Sequence, residues 1–197
     1  MSDEQIEDEP DVWASILAYG GFESTDDALE TLIKLRDVDF GDVFTDQDTE
    51  LDSEGDEGIS IQFYHEDIPT RLRLAVDADN ELSVRLTVSG DNCEHAESIL
   101  NKILEEIESV TADEITVFYQ SSREFVELEL PIKESTEFRV TGMRLDHDGV
   151  DHIIQDRESN TTATSTYELD EEIEDSVDDS FVGGRLEQTK TLIEEVL

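Results

Sequence analysis

The sequence predicts an α+β fold, a mostly antiparallel sheet covered on one face by helices, with a small N-terminal helical pair ahead of it. Three observations carry this. RLRLAV (71–76) and LSVRLTV (82–88) alternate apolar and polar residues with period two, as half-buried strands do. Ala96, Ile99, Leu100, Ile103, Leu104 and Ile107 recur at helical spacing in one stripe. Strand-like runs follow one another without the helical crossovers that parallel neighbours require, which argues for antiparallel pairing.

In chain order, residues 1–9 are polar and read as a flexible tail. Pro10 opens a short helical pattern through Val12, Trp13, Ile16 and Leu17 that Gly20-Gly21 ends. Ser24 or Thr25 caps a second helix with Ala28, Leu29, Leu32 and Ile33 on one face, so 10–36 reads as a helical pair. Residues 37–58 are acidic, with recurring glycine and few apolar positions, and read as a linker. The α+β domain then spans 59–197. ISIQFY (59–64) precedes the hairpin, whose turn lies at Asp77–Glu81. The long amphipathic helix runs from about Cys93 to Ser109. Strands follow at ITVFY (115–119), FVELEL (125–130), EFRVTGMRL (137–145), VDHIIQ (150–155) and ATSTYEL (163–169), and Gly183-Gly184 precede a last helix. The order suggests a strand meander followed by a helix, used twice (59–109 and 115–197), although no residue-level repeat accompanies it.

Composition bounds the setting. Asp and Glu number 54 against 13 Lys and Arg, a net charge of −41. Successive stretches of 50, 50, 50 and 47 residues hold 16, 12, 12 and 14 acids, so the charge is no appended tail. Of the basic residues four are lysine (Lys34, Lys102, Lys133, Lys190) and nine arginine. This profile resembles the acidic soluble proteins of salt-in halophiles of the haloarchaeal type, and the resemblance implies a cytoplasm of concentrated salt. Self-repulsion opposes compaction in dilute buffer. The Debye length of about 10 Å at 0.1 M falls to about 3 Å at 1 M, which removes most of that repulsion. Cys93 is the single cysteine, so no disulfide forms within the chain. The N-terminus lacks the pattern of an export signal and no run of 18 apolar residues occurs. The expected location is cytoplasmic, with no membrane partner.

Several constellations invite chemical readings. Asp46, Asp48, Glu50 and Glu57 fall at calcium-loop ligand positions, yet the required turn glycine is replaced by Leu51. LDHDGVDH (145–152) gathers His147, His152, Asp148 and Asp151 around a turn and is the candidate metal site. A two-residue Asp148-Gly149 loop would set Asp146 opposite Asp151, unfavourable unless a cation bridged them. A type I turn with Gly149 as a bulge would pair Asp146 with Val150 instead and needs no metal. Cys93 opens the long helix, but Asp91 and Glu94 beside it raise a thiol pKa, against nucleophilic use.

Arg71, Arg73 and Arg85 line the hairpin face opposite its apolar side. They suit cross-strand ion pairs with neighbouring acids, a partner's carboxylates, or an anionic ligand. Trp13, Tyr19 and Phe22 form a hydrophobic side expected to pack on the sheet or on a partner. A helix-turn-helix reading of 11–36 is disfavoured because Asp26, Asp27 and Glu30 would repel phosphates, so no duplex DNA is expected. GxxxxGK[ST], GxSxG, HExxH and paired CxxC motifs are absent, and no cofactor is expected. The expected function is non-catalytic protein–protein interaction as an accessory or assembly subunit, through another protein or self-association, since apolar helices at both termini want a neighbour. The alternatives are a polyanionic mimic sequestering basic proteins, and a metal-dependent hydrolase using acids near His147 and His152.

Overall fold

The computed structural model describes residues 11–51, 57–77, 80–121, 142–147, 150–157, 160–174 and 176–196. They contain the strands β1 (Asp11–Gly21), β2 (Asp46–Leu51), β3 (Glu57–Tyr64), β4 (Arg71–Asp77), β5 (Glu81–Ser89), β6 (Val110–Ser121), β7 (Gly142–His147), β8 (Val150–Arg157) and β9 (Asn160–Ile173). The helices are α1 (Thr25–Arg36), α2 (Ala96–Leu104), entered through a 3-10 segment at Gly90–His95, and α3 (Gly183–Val196). All nine strands join one sheet in the order β2-β3-β4-β5-β1-β6-β9-β8-β7. Every neighbouring pair is antiparallel.

The expected helical pair is corrected: residues 11–21 form β1, a central strand held between β5 and β6. Val12, Trp13, Ile16 and Leu17 mimic helical spacing because both sides of this strand carry apolar groups. Ala14, Ile16 and Ala18 are buried, while Trp13, Leu17 and Tyr19 are half-buried on the opposite face. A strand apolar on both faces loses the period-two signature, and its aromatic and branched residues are the better guide. The separate N-terminal unit therefore dissolves into the sheet. The linker expectation for 37–58 also changes, because Asp46–Leu51 pairs with β3 as an edge strand whose Asp46 and Asp48 are exposed. Charge at an edge opposes pairing with another chain. The 1–9 tail, FVELEL and residues 137–141 lie outside the described residues.

One core holds the elements together. β1 contributes Ala14, Ile16 and Ala18, β4 Leu72 and Leu74, β5 Val84 and Leu86, and β6 Ile115 and Val117. Against them pack Ala28, Leu32 and Leu35 of α1 and Ile99, Leu100 and Ile103 of α2. Each such Leu or Ile buried contributes about 1.5–3 kcal/mol. Ser24 caps α1, its hydroxyl accepting from the Asp27 N–H at 3.2 Å, with acids in the first turn and Lys34 and Arg36 in the last. Ile33 does not share the buried stripe and is 54% exposed. α3 is tied to β9 where the Tyr167 hydroxyl meets Thr189 Oγ1 at 2.9 Å. The described helices thus all lie against the same side of the sheet. Two glycines are dictated by backbone: Gly90, at φ +56, turns the chain from β5 into the 3-10 segment, and a Cβ on Gly58 would stand 3.0 Å from the Val76 carbonyl, beside a β3–β4 register shift.

The two halves share part of their course among the described residues, α1 and β2 of the first having no described counterpart in the second. β1 is rejoined by the last strand of the meander β3-β4-β5, which leads into α2; β6 is rejoined by the last strand of β7-β8-β9, after which α3 follows. The opening strands of both halves, β1 and β6, meet at the sheet's centre.

Candidate functional site

Because the described helices occupy one side, the other side of the sheet is left without a described helix over it. Alternation decides what it shows: Ser15, Leu17 and Tyr19 of β1, Arg71 and Arg73 of β4, Glu81, Arg85 and Thr87 of β5, Glu114, Thr116 and Phe118 of β6, and Glu168 of β9, with Glu114 across from Glu168. Arg73 stands directly across from Arg85, and Arg71 across from Thr87 and from Tyr64 of β3. Like charges directly opposed are unfavourable unless an anion lies between them. Arg71 and Arg85 are exposed, and neither guanidinium makes a hydrogen bond or ion pair within the described residues. The expected pairing of this stripe with neighbouring acids is thus not what Arg71 and Arg85 do, although acids outnumber basic residues about four to one. At the far end of β1 the Tyr19 phenol is held above its usual pKa, by burial first and then by Asp113 and Glu81, with Arg85 pulling the other way.

At the sheet's centre Trp13 pairs in register with Phe118, and their rings stack at 3.7 Å between centroids and 14° between planes. Their other cross-strand neighbours are small, Ser89 beside Trp13 and Thr164 beside Phe118. Phe22 takes the first of its two expected roles and packs against the core on the helical side, while Trp13 lies on the opposite face. The sequence reading missed Phe118 and Tyr64. Alternation in ITVFY and ISIQFY puts both rings off the core face, but their neighbours follow only from strand order.

The stripe ends in a cleft of about 800 Å³ at the β3–β4 turn, lined among others by Tyr64, His65, Glu66, Asp67, Arg71 and Thr87. Its loop is held by its own bonds. The His65 N–H donates to the Thr70 carbonyl at 3.0 Å, the Glu66 N–H to Thr45 Oγ1 at 3.0 Å, and the Asp67 N–H to His65 Nδ1 at 3.1 Å. Buried Thr70 also accepts from the Ser89 N–H at 3.3 Å, fastening the loop to the end of β5. The N–H groups of His65, Glu66, Asp67 and Thr70 are thus taken up within the loop, and the cleft offers mainly side chains.

The metal candidate comes apart. β7 and β8 pair Asp146 with Asp151 and His147 with Val150, so a two-residue link joins them and the bulged alternative is corrected. The cation beside the opposed aspartates is a guanidinium: Arg144 grips Asp151 through Nε at 2.8 Å and a terminal nitrogen at 2.7 Å. His152, next in sequence, faces the core, buried, with Nδ1 2.7 Å from Ser165 Oγ. Consecutive strand residues point to opposite faces, so Asp151 and His152 cannot share an ion. The His147 side chain and Asp148 lie outside the described residues, and among the described ones no group of three candidate metal ligands gathers. Asp46 and Asp48 lie along the extended strand β2, and residues 52–56 of the calcium-loop pattern lie outside the described residues. Cys93 is buried, its thiol pushed up to about 11, chiefly by burial, and donating to the Val88 carbonyl at 3.5 Å. That is a structural cysteine.

No protein-family model and no curated protein matches the chain. Among solved structures, one match is a rolling circle replication initiator protein from Geobacillus stearothermophilus, at 10% identity and a TM-score of 0.37, covering 82% of this chain and 74% of the other. A likeness of that size carries neither chemistry nor partners across. The expectation of a non-catalytic accessory or assembly subunit does not stand. It rested in part on apolar helices at both termini, whereas the N-terminal stretch is a central strand whose Ala14, Ile16 and Ala18 are already buried in the core. Within the described residues no helix is long and apolar enough to cross a membrane.

Proposed function

We propose that the uncovered sheet face binds single-stranded nucleic acid, in the cytoplasm of a cell that holds molar salt. The observation that carries this is the pair of exposed arginines, Arg71 and Arg85, without an acidic partner among the described residues of a chain so rich in acid. Arginine forks bind phosphate bidentately. The stacked Trp13 and Phe118 rings, bordered by Ser89 and Thr164, leave planar apolar surface of the kind on which unpaired bases stack, each worth about 1–3 kcal/mol. A single strand suits this face better than a duplex. Its bases are free to stack, and its lower charge density meets less repulsion from a protein of net charge −41. With residues 11–21 in the sheet, no helix-turn-helix pair exists to meet a duplex, and charge density and base stacking set the single strand ahead of it.

Trp13 is the chain's single tryptophan, so its fluorescence reports the site directly. Titration of the protein in 2 M KCl with a 12-nucleotide single strand is expected to quench Trp13, and Arg71→Ala with Arg85→Ala to weaken binding about tenfold per arginine. Quenching equally by the matching duplex, or none by either, refutes the proposal.

A further inference from the structure

We propose that the cleft at the β3–β4 turn seats the 3′-terminal ribonucleotide of the bound strand, which makes the protein a reader of RNA ends bearing a free 2′,3′-diol. This rests on the reading of the sheet face as a nucleic-acid surface. The cleft opens where that face ends: Tyr64, Arg71 and Thr87 are cross-strand neighbours on the uncovered side and also line the cleft. Its volume of about 800 Å³ lies within the range of small-molecule sites, about 300–1,000 Å³.

Its chemistry is mixed in a way that fits one nucleotide. Arg71, exposed and without a described partner, supplies a fork for the 5′-phosphodiester. Half-buried Tyr64 offers a ring for the base. Because His65 Nδ1 accepts the Asp67 N–H, the neutral ring carries its proton on Nε2, a second donor for phosphate. Glu66 and Asp67 are exposed carboxylates on the same short loop, able only to accept when ionised. An internal phosphate would be repelled by them, whereas two ribose hydroxyls donate to them; carboxylate binding of ribose hydroxyls is an established use of Asp and Glu. One fork for an anion beside two acceptors for a diol thus selects a terminal ribonucleotide over an internal one or a deoxyribonucleotide. The loop's internal hydrogen bonds set this arrangement before the ligand arrives, sparing it the ordering cost.

The test uses the full chain in 2 M KCl and four 12-nucleotide probes: RNA ending in 3′-hydroxyl, 3′-phosphate or 3′-deoxy, and DNA of the same sequence. The 3′-hydroxyl RNA is expected to bind about tenfold more tightly than the other three, and Glu66→Gln with Asp67→Asn to erase that difference while Trp13 quenching persists. Equal affinity for all four, with quenching intact, overturns the cleft assignment and leaves the face reading standing. If no strand quenches Trp13, the face reading falls, and calorimetry of 5′-AMP against its 3′-deoxy analogue decides the cleft by itself: a tenfold preference for the diol upholds it and no preference overturns it.

Discussion

Removing the Glu97 carboxylate should detach α3 from the rest of the fold. Glu97 lies on α2, is 93% buried, and its Oε1 accepts the backbone N–H groups of Val182 and Gly183, each at 2.8 Å, at the point where α3 starts. The first turn of α3 has no acidic residue of its own, so the negative charge that favours a helix N-terminus arrives from another helix. One turn further along α2, Asn101 accepts from the Val177 N–H at 2.8 Å and donates to the Val177 carbonyl at 3.2 Å. Together they hold segment 177–183, whose Val177, Phe181 and Val182 are buried. Hydrogen bonds to a charged group contribute about 1.5–3 kcal/mol each, and an orphaned buried donor costs about 1–3 kcal/mol. Glu97→Ala leaves two donors bare and is expected to cost about 3–5 kcal/mol; Glu97→Gln keeps an oxygen in place and is expected to cost about 1–2 kcal/mol. Urea unfolding in 2 M KCl, followed by circular dichroism, measures both. At about 2–4 °C per kcal/mol for a chain of this size the Ala variant should melt about 10 °C lower. An Ala variant within about 1 kcal/mol of the parent refutes the latch, and a Gln variant as damaged as Ala refutes the role given to the shared oxygen.

Other outcomes are expected. Cys93 has its thiol raised to about 11, so the folded state prefers the proton that the unfolded chain surrenders near 9. The stability this gives is complete below about pH 9 and is lost as pH rises toward 11; two units correspond to about 2–3 kcal/mol, absent in Cys93→Ala, and an identical alkaline melting profile for the two proteins counts against burial as the cause. Dialysis from 2 M KCl into a few millimolar buffer should abolish the cooperative melt seen by circular dichroism, and a compact, cooperative protein there would sink the proposed adaptation to brine. Phe118→Ala should weaken single-strand binding about tenfold with little change in melting, since the ring lies off the core; a fall in stability with unchanged binding reverses that assignment. Binding should tighten between 0.5 M and 2 M KCl, opposite to the usual behaviour of nucleic-acid complexes, and a conventional negative salt slope contradicts the electrostatic argument.

How far the fold was legible depended on how many faces each element buries. The β4–β5 hairpin reads cleanly because Leu72, Leu74, Val84 and Leu86 are buried while Arg71, Arg73 and Arg85 are not. β1 does not, because a central strand with Trp13, Leu17 and Tyr19 on one side and Ile16 on the other has no polar face to mark its period. The acidic run containing β2 hid an edge strand for the converse reason: charge suits an edge, but DQDTEL carries almost no apolar pattern. The arginine stripe was visible from alternation alone. That Arg71 and Arg85 lack partners was not, since it depends on where the acids of β1, β5 and β6 fall once the sheet is assembled. The cleft was invisible, being made by loop bonds such as Thr45 to Glu66 that no local pattern announces.

An acidic coat and an anion-binding face are compatible once distance enters. For 197 residues the radius of gyration is about 16 Å. Placing the net charge of −41 at that distance from a phosphate gives an unscreened repulsion of about 10 kcal/mol in water. At 0.1 M salt screening cuts this to about 2 kcal/mol per phosphate, at 0.5 M to about 0.2, and at 1 M to less than about 0.1. A guanidinium in direct contact acts within a few ångströms, inside even the shortest of those screening lengths, and a base on Trp13 or Phe118 depends on no charge at all. Salt therefore removes the long-range term much faster than the contacts. Over about ten phosphates the repulsion remaining at 0.5 M is about 2 kcal/mol, so its loss by 2 M tightens binding about 30-fold, against which the two arginine contacts on a single strand give back a factor of about 7 over the same fourfold range. Removing Arg71 and Arg85 should therefore steepen the rise with salt, because it takes away the opposing slope and leaves the repulsion untouched. A protein whose acids formed the binding surface would show no such steepening.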